Sequence, residues 1–99
     1  MPKCEFSRLA LADLKAISRY TIQEWGAEQA IRYMDAIQEC IRELAKSPLM
    51  GRACDKVETG YRRMEHGRHV IFYRRKEDGI FLGRVLHQRM LPRRHVVES

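Results

Sequence analysis

Long apolar runs are missing from this sequence, and none approaches the roughly 20 residues that a membrane-spanning helix needs. The first residues, MPKCEFSRLALADL, carry charges where a signal peptide would have its hydrophobic segment. We therefore expect a cytoplasmic protein with no membrane partner.

Cysteine is scarce, and its positions match no common ligand or redox motif. Cys4, Cys40 and Cys54 are odd in number and form neither a CxxC motif nor a cysteine–histidine spacing typical of zinc sites. Thiols in the cytoplasm stay reduced. The sequence therefore predicts no disulfide and no metal site, and none of its motifs indicates a cofactor.

Acidic residues are also in deficit, since 13 Asp and Glu stand against 19 Lys and Arg, for a net charge of +6. The basic excess is concentrated in the second half of the chain, at Arg62, Arg63, Arg68, Arg74, Arg75, Lys76, Arg84, Arg89, Arg93 and Arg94. Such a surface suits a polyanion such as RNA or DNA, or an acidic protein. Charge alone does not choose between these partners.

The length of 99 residues, with 44% hydrophobic and 32% charged residues, is typical of one globular domain and too short for two cores. We therefore expect a single domain over residues 1–99. Folding at this size hides only about 60–65% of the surface of the unfolded chain. Helix-on-sheet packing must supply nearly all of the core, and a bound partner can add stability.

Two amphipathic helices are predicted in the first half. The first covers Arg8–Trp25, with Ser7 as its N-cap and Gly26 at its end. Its apolar stripe is Ala10, Leu14, Ile17 and Thr21, broadened by Leu11, Tyr20 and Trp25. We expect Tyr20 and Trp25 in the core, and the polar residues facing away are Asp13, Lys15, Arg19 and Gln23.

The second helix covers about Ala27–Lys46, where apolar residues recur at helical spacing, and it stops at Ser47-Pro48. Its tight connection to the first helix predicts a helical hairpin. Three methionines are expected to fill gaps in the core, namely Met34, Met64 and Met90.

The pattern changes to strands in the second half. Lys3–Ser7 is a short strand candidate, and Ser47–Gly60 is predicted to be a loop. Three further strands, YRRMEH, RHVIFYRRK and GIFLGRVLH, are joined by turns at Gly67 and Asp78-Gly79. The order β-α-α-β-β-β predicts an α+β fold, a two-layer sandwich in which the hairpin covers one face of an antiparallel meander.

Four sequence pieces in this order carry a family resemblance: ADLKAISRYTIQEWG, LAKSPLMGR, GRHVIFYRR and RVLHQRM. From Phe6 to about Met90 the chain resembles the ParE branch of the RelE/ParE toxin superfamily. The resemblance implies a type II toxin with a ParD-like antitoxin and DNA gyrase as its target. It also implies inhibition by binding, without a cofactor, without chemistry and without direct sequence-specific recognition of nucleic acid.

A different function on the same fold is a RelE-like ribosome-dependent mRNA endonuclease. Its site requires a base, cations and an acid around one phosphate, and Arg62, Arg68 and His87, with His66, supply such groups. RelE-type nucleases tend to have a Tyr or His directly after the last strand, whereas all four tyrosines here precede that strand. A histidine at a strand end is more often structural than a general base. A third reading is a former toxin that only binds its antitoxin.

Candidate binding residues follow from charge and position. An acidic antitoxin with a partly disordered tail would pair with Arg62, Arg68 or Arg74. In the tail, residues 88–99, an apolar contact flanked by guanidiniums suits gyrase, and its residues are Arg89, Met90, Leu91, Pro92, Arg93 and Arg94. The alternatives are a frayed terminus and, for the sheet arginines, a solvated face.

Overall fold

The architecture is a five-stranded sheet with two helices. The computed structural model describes residues 2–55 and 58–90. In chain order its elements are β1 (Lys3–Phe6), α1 (Arg8–Trp25), α2 (Ala27–Lys46), β2 (Arg52–Ala53), β3 (Tyr61–His66), β4 (His69–Lys76) and β5 (Gly79–His87). The sheet is mixed, with strand order β1-β5-β4-β3-β2, and the predicted α+β fold is confirmed. Neither helix of this part of the chain has the length and apolarity to cross a membrane.

The sheet contains the predicted meander and two features beyond it. β3, β4 and β5 pair antiparallel in sequence order. β1 lies parallel to β5, with Cys4 opposite Ile80. The loop predicted over Ser47–Gly60 is wrong in one part, because β2 lies within it and pairs antiparallel with β3. A strand of two residues is too short to produce an alternating pattern in the sequence.

The helix boundaries follow local chemistry. The Ser7 hydroxyl accepts a hydrogen bond of 2.9 Å from the backbone N–H of Ala10, which caps α1. Gly26 has a φ of 90°, a backbone conformation that favours glycine, and it separates α1 from α2. Both predicted helices are therefore confirmed at their ends.

The main core lies between the helical hairpin and one face of the sheet. Its buried members include Ile17, Ile37, Ile41 and Leu44 from the helices and Ile71, Tyr73, Ile80, Leu82 and Val85 from the sheet. Met34 and Met64 pack against it as partly buried residues, as the gap-filling prediction requires. Met90 is 39% exposed, so the same prediction is wrong for that residue. Tyr61, Val70, Phe72 and Leu86 form a second buried cluster.

A carboxylate joins α1 to β5. Asp13 was expected to face solvent, but its side chain is only 14% exposed and accepts hydrogen bonds from the Arg84 guanidinium at 2.7 and 2.8 Å. It also accepts the backbone N–H of Val85 at 3.0 Å. The pairing of β1 with β5 ends at Leu82, so α1 supplies a partner for the β5 edge beyond that point. Helical periodicity assigns an Asp outside the apolar stripe to the solvent-facing side. It therefore did not predict this contact.

Replacement of Asp13 by Ala should lower the free energy of unfolding by about 3 kcal/mol, because the change removes the carboxylate from a largely buried guanidinium and from an edge N–H group. Urea unfolding measures the loss. The matched control is Glu39→Ala, which removes an exposed carboxylate paired with Arg42 and should cost less than about 0.5 kcal/mol. Equal losses in the two variants would contradict the structural role of Asp13.

Candidate functional site

A pocket of about 330 Å³ opens where the end of α1, the start of α2, the β3–β4 turn and the end of β5 meet. The helices contribute aromatic side chains to its wall, and the sheet contributes basic ones. The aromatic residues are Tyr20, Trp25 and Tyr33, and the basic ones are Arg68, His69 and His87. The pocket therefore combines apolar walls with a small group of polar side chains, an arrangement typical of binding sites.

The two aromatic residues of α1 are exposed, which corrects the prediction that they lie in the core. Trp25 is 60% and Tyr20 is 59% exposed. Leu11, predicted to broaden the same stripe, is exposed as well. The buried stripe of α1 is narrower than the sequence pattern indicated and consists of Ala10, Ile17 and Thr21. Tyr20 and Trp25, on the flank of this stripe, line the pocket, and Leu11 lies at the surface.

Tyr33 organises the polar part of the pocket. Its hydroxyl accepts the backbone N–H of Arg68 at 3.2 Å and lies 2.6 Å from Nδ1 of His69. The carbonyl of His66 is farther, at 3.4 Å, and we therefore assign the single phenolic proton to the shorter contact with His69. This assigns Nδ1 of His69 as an acceptor and Nε2 as its N–H.

Glycine is required in the β3–β4 turn for Tyr33 to reach this position. Gly67 has a φ of 57°, and a Cβ atom on it would lie 2.6 Å from the Tyr33 hydroxyl oxygen. Any larger residue would push the phenol away from His69. The turn glycine therefore shapes the pocket as well as the hairpin.

His69 and His87 form an edge-to-face pair, with ring centroids 5.6 Å apart. Nδ1 of His87 accepts the backbone N–H of Arg89 at 3.2 Å, which leaves Nε2 as the N–H of its neutral ring. Burial, together with the neighbouring His87 and His66, lowers the pKa of His69 to about 4. His69 is therefore neutral at pH 7, and both imidazoles keep an Nε2–H donor.

The three arginines predicted to bind the antitoxin lie in different places. The guanidinium of Arg62 donates to the carbonyl oxygens of Gly51, at 2.7 Å, and Leu49, at 3.2 Å. Arg74 lies over the ring of Phe81, 4.6 Å from its centroid. Arg68 is exposed and lines the pocket.

The residues proposed for a nuclease do not converge as a set. Arg68 and His87 line one pocket, whereas Arg62 lies four residues before the end of β3, about 13 Å away along the strand. Of the predicted gyrase-binding tail, Arg89 and Met90 lie in the turn after β5, two and three residues beyond its end at His87. Leu91, Pro92, Arg93 and Arg94 lie outside the described residues.

Other reactive groups in the described ranges give no catalytic centre of their own. Burial raises the pKa of the Cys4 thiol to about 11 and raises that of Cys40, which keeps both protonated and weakly nucleophilic at neutral pH. Within residues 2–55 and 58–90, no three His, Cys, Asp or Glu side chains are grouped to hold a metal ion.

The lowered pKa of His69 predicts a loss of stability in acid. Between pH 6.5, the ordinary pKa of histidine, and about 4, the unfolded chain binds a proton that the folded chain does not. Stability from this residue is complete above pH 6.5 and declines toward pH 4. We expect a loss of about 1.5 kcal/mol, since partial exposure screens the full effect.

The measurement is urea unfolding at pH 7 and pH 4 for the wild-type chain and for His69→Gln, which keeps an acceptor for Tyr33 but does not titrate. Carboxylates titrate in both proteins, so the difference between their pH dependences isolates His69. An identical acid loss in the two proteins would contradict the assignment.

Comparison with known proteins identifies the family. The family model described as ParE toxin of type II toxin-antitoxin system, parDE, matches residues 4–92. The chain is 44% identical to Toxin ParE1 of Mycobacterium tuberculosis over 85 residues, which cover 85% of this chain and 87% of the relative.

Two further relatives extend the match. Toxin ParE1 of Caulobacter vibrioides is 42% identical over 96 residues, which cover 97% of this chain and 99% of that protein. A structure described as the chromosomal ParDE TA system from P. aeruginosa has a TM-score of 0.73 at 25% identity, covering 88% of this chain and 96% of that one. The predicted resemblance is confirmed, and the chain belongs to the family of ParE toxins of parDE type II toxin–antitoxin systems.

Proposed function

We propose that this ParE-family toxin acts in the cytoplasm by binding DNA gyrase and interfering with its cleavage and rejoining of DNA. It does so without chemistry of its own, and a ParD-like antitoxin neutralises it by binding. Membership of the parDE toxin family supports this proposal. The arrangement of the basic side chains supports the absence of catalysis.

The observation that carries the proposal is the separation of the basic residues. Phosphodiester cleavage requires a base, an acid and cations within hydrogen-bond reach of one phosphate. Arg62 is held on the Gly51 carbonyl, at the far end of β3 from Arg68 and His87. Nδ1 of His87 is occupied by the Arg89 N–H. These contacts favour a binding protein over the alternative mRNA endonuclease.

We propose the segment after β5 as the gyrase contact. Arg89 and Met90 leave the sheet next to the pocket, and Met90 exposes an apolar side chain. Leu91 and Pro92 are apolar, and Arg93 and Arg94 are basic. Their apolar group would pack on a protein surface, and the flanking guanidiniums would pair with carboxylates of gyrase or with phosphates of its bound DNA.

Reversal of charge in the double variant Arg93→Glu/Arg94→Glu should weaken inhibition of gyrase at least tenfold, while affinity for the antitoxin stays within about twofold. The physical reason is repulsion from the anionic groups that the guanidiniums would otherwise pair with. Supercoiling and DNA-cleavage assays with purified gyrase measure the first quantity, and calorimetry with the co-encoded antitoxin measures the second.

The matched control reverses two exposed arginines elsewhere, Arg19→Glu/Arg75→Glu, and should leave gyrase inhibition within about twofold. A parallel translation extract, probed for cuts in mRNA, tests the alternative. Cleaved mRNA together with unaffected gyrase would reject the proposed function in favour of an endonuclease. Full inhibition by the tail variant would reject only the role of the tail.

A further inference from the structure

The basic side chains of the pocket present hydrogen-bond donors to an occupant, beside the neutral polar side chains of Gln29 and Tyr20. Nδ1 of His69 is used by the Tyr33 hydroxyl, and Nδ1 of His87 is used by the Arg89 N–H. Each ring therefore has its Nε2–H left, and the exposed guanidinium of Arg68 adds further donors and a positive charge. None of the side chains lining the pocket in the described chain is acidic. An occupant that supplies acceptors to these basic groups, and best a negative charge, fits this side of the pocket.

The apolar wall indicates an occupant larger than a small molecule. Trp25 and Tyr20 are each more than half exposed although they line the pocket. Ile22 is also exposed and lies three residues before Trp25, a spacing that places two side chains side by side on a helix. A small ligand inside 330 Å³ would leave Ile22 uncovered, whereas a polypeptide continuing past the pocket would cover it. Exposed Trp and Tyr residues are also the types that dominate protein–protein binding energy.

The pocket is already organised before anything binds. The Tyr33 hydroxyl is held between the Arg68 backbone and the His69 ring, and Gly67 leaves it the space to stay there. An occupant therefore meets fixed donors and loses little affinity to the ordering of this wall.

We infer that this pocket is the docking point for an acidic segment of the antitoxin. A carboxylate of the segment pairs with Arg68 and the two imidazole N–H groups, and an adjacent apolar side chain packs between Tyr20 and Trp25. The inference rests on the proposed neutralisation by an antitoxin and adds its place and chemistry. It moves the antitoxin contact away from Arg62 and Arg74, whose guanidiniums have partners within the chain, and keeps Arg68.

A nucleotide is the competing occupant, because a base stacks on aromatic rings and a phosphate accepts hydrogen bonds. Two observations favour the polypeptide. The exposed apolar surface continues beyond the pocket to Ile22, and the family pairs each toxin with a protein antitoxin. The nucleotide is therefore an outcome of the test.

The first experiment measures the affinity of the toxin for the co-encoded antitoxin by calorimetry. Trp25→Ala and Arg68→Gln should each weaken binding at least tenfold, because they remove the apolar wall and the cation. The matched controls are Leu49→Ala, an equally exposed apolar residue beside β2, and Arg75→Gln, an exposed arginine in the opposite half of β4. Both controls should bind within about twofold of the wild type.

The second experiment needs no variant, because Trp25 is the only tryptophan of the chain. Toxin labelled with 5-fluorotryptophan gives one ¹⁹F resonance, which should shift when unlabelled antitoxin is added. Antitoxin carboxylates can then be replaced by amides, one at a time, and the affinity measured with both toxins. One replacement should weaken binding to the Arg68→Gln toxin by a factor at least fivefold smaller than it weakens binding to the wild type. That coupling would place the carboxylate at Arg68.

Each outcome decides a different question. Antitoxin that binds both pocket variants as tightly as the wild type, with an unmoved ¹⁹F signal, would overturn the docking site and leave the proposed function standing. Wild-type toxin that does not bind the antitoxin at all would reject the proposed neutralisation itself. AMP or a short oligonucleotide that shifts the ¹⁹F resonance but does not displace the antitoxin would assign the pocket to a nucleotide. That result would overturn the inference.

Discussion

The contact between Asp13 and the edge of β5 determines how the two layers of this protein meet. The parallel partner β1 covers β5 only as far as Leu82. Ser7 continues the edge by donating its N–H to the Leu82 carbonyl at 3.0 Å, and the Asp13 carboxylate then binds Val85 and Arg84. These bonds join residues more than 70 positions apart in the chain. Because α1 carries Tyr20 and Trp25 while β5 carries His87, the same contact joins two of the elements that line the pocket.

The polar side of the pocket depends on a β-bulge. Near the Asp78-Gly79 turn, Tyr73 lies opposite Leu82, but Phe72 lies opposite Arg84, so β5 has one extra residue at Gly83. This shift places His87 opposite His69; without it, Leu86 would take that position. A Cβ atom at residue 83 would lie 2.5 Å from the Tyr61 hydroxyl oxygen, which explains the glycine there. The bulge at Gly83 thus brings together the two imidazoles at the end of the sheet.

The basic half of the chain serves two purposes. Part of its charge is used internally, since Arg62 holds the loop before β2, Arg63 pairs with Glu65 at 3.2 Å, and Arg84 binds Asp13. Arg68 is left at the mouth of a pocket that offers donors to an anion. The net positive charge therefore overstates the surface available to an anion. It counts a guanidinium that already pairs with a carbonyl or a carboxylate in the same way as an exposed one. The acidic antitoxin segment proposed above would meet this remaining surface.

Local patterns determined most of the fold. The Ser7 cap, Gly26, the two helical periods and the strand sequences Tyr61–His66 and Gly79–His87 with their turns are each encoded within a few residues, and the corresponding elements were predicted at nearly their observed bounds. The family could be predicted for the same reason, since its motifs are continuous stretches. The parallel position of β1, the short β2, the burial of Asp13, the exposure of Trp25 and the pairing of His69 with His87 were decided by the tertiary structure. Each depends on contacts between distant parts of the chain, and periodicity within one element reports which residues share a face but not what that face meets.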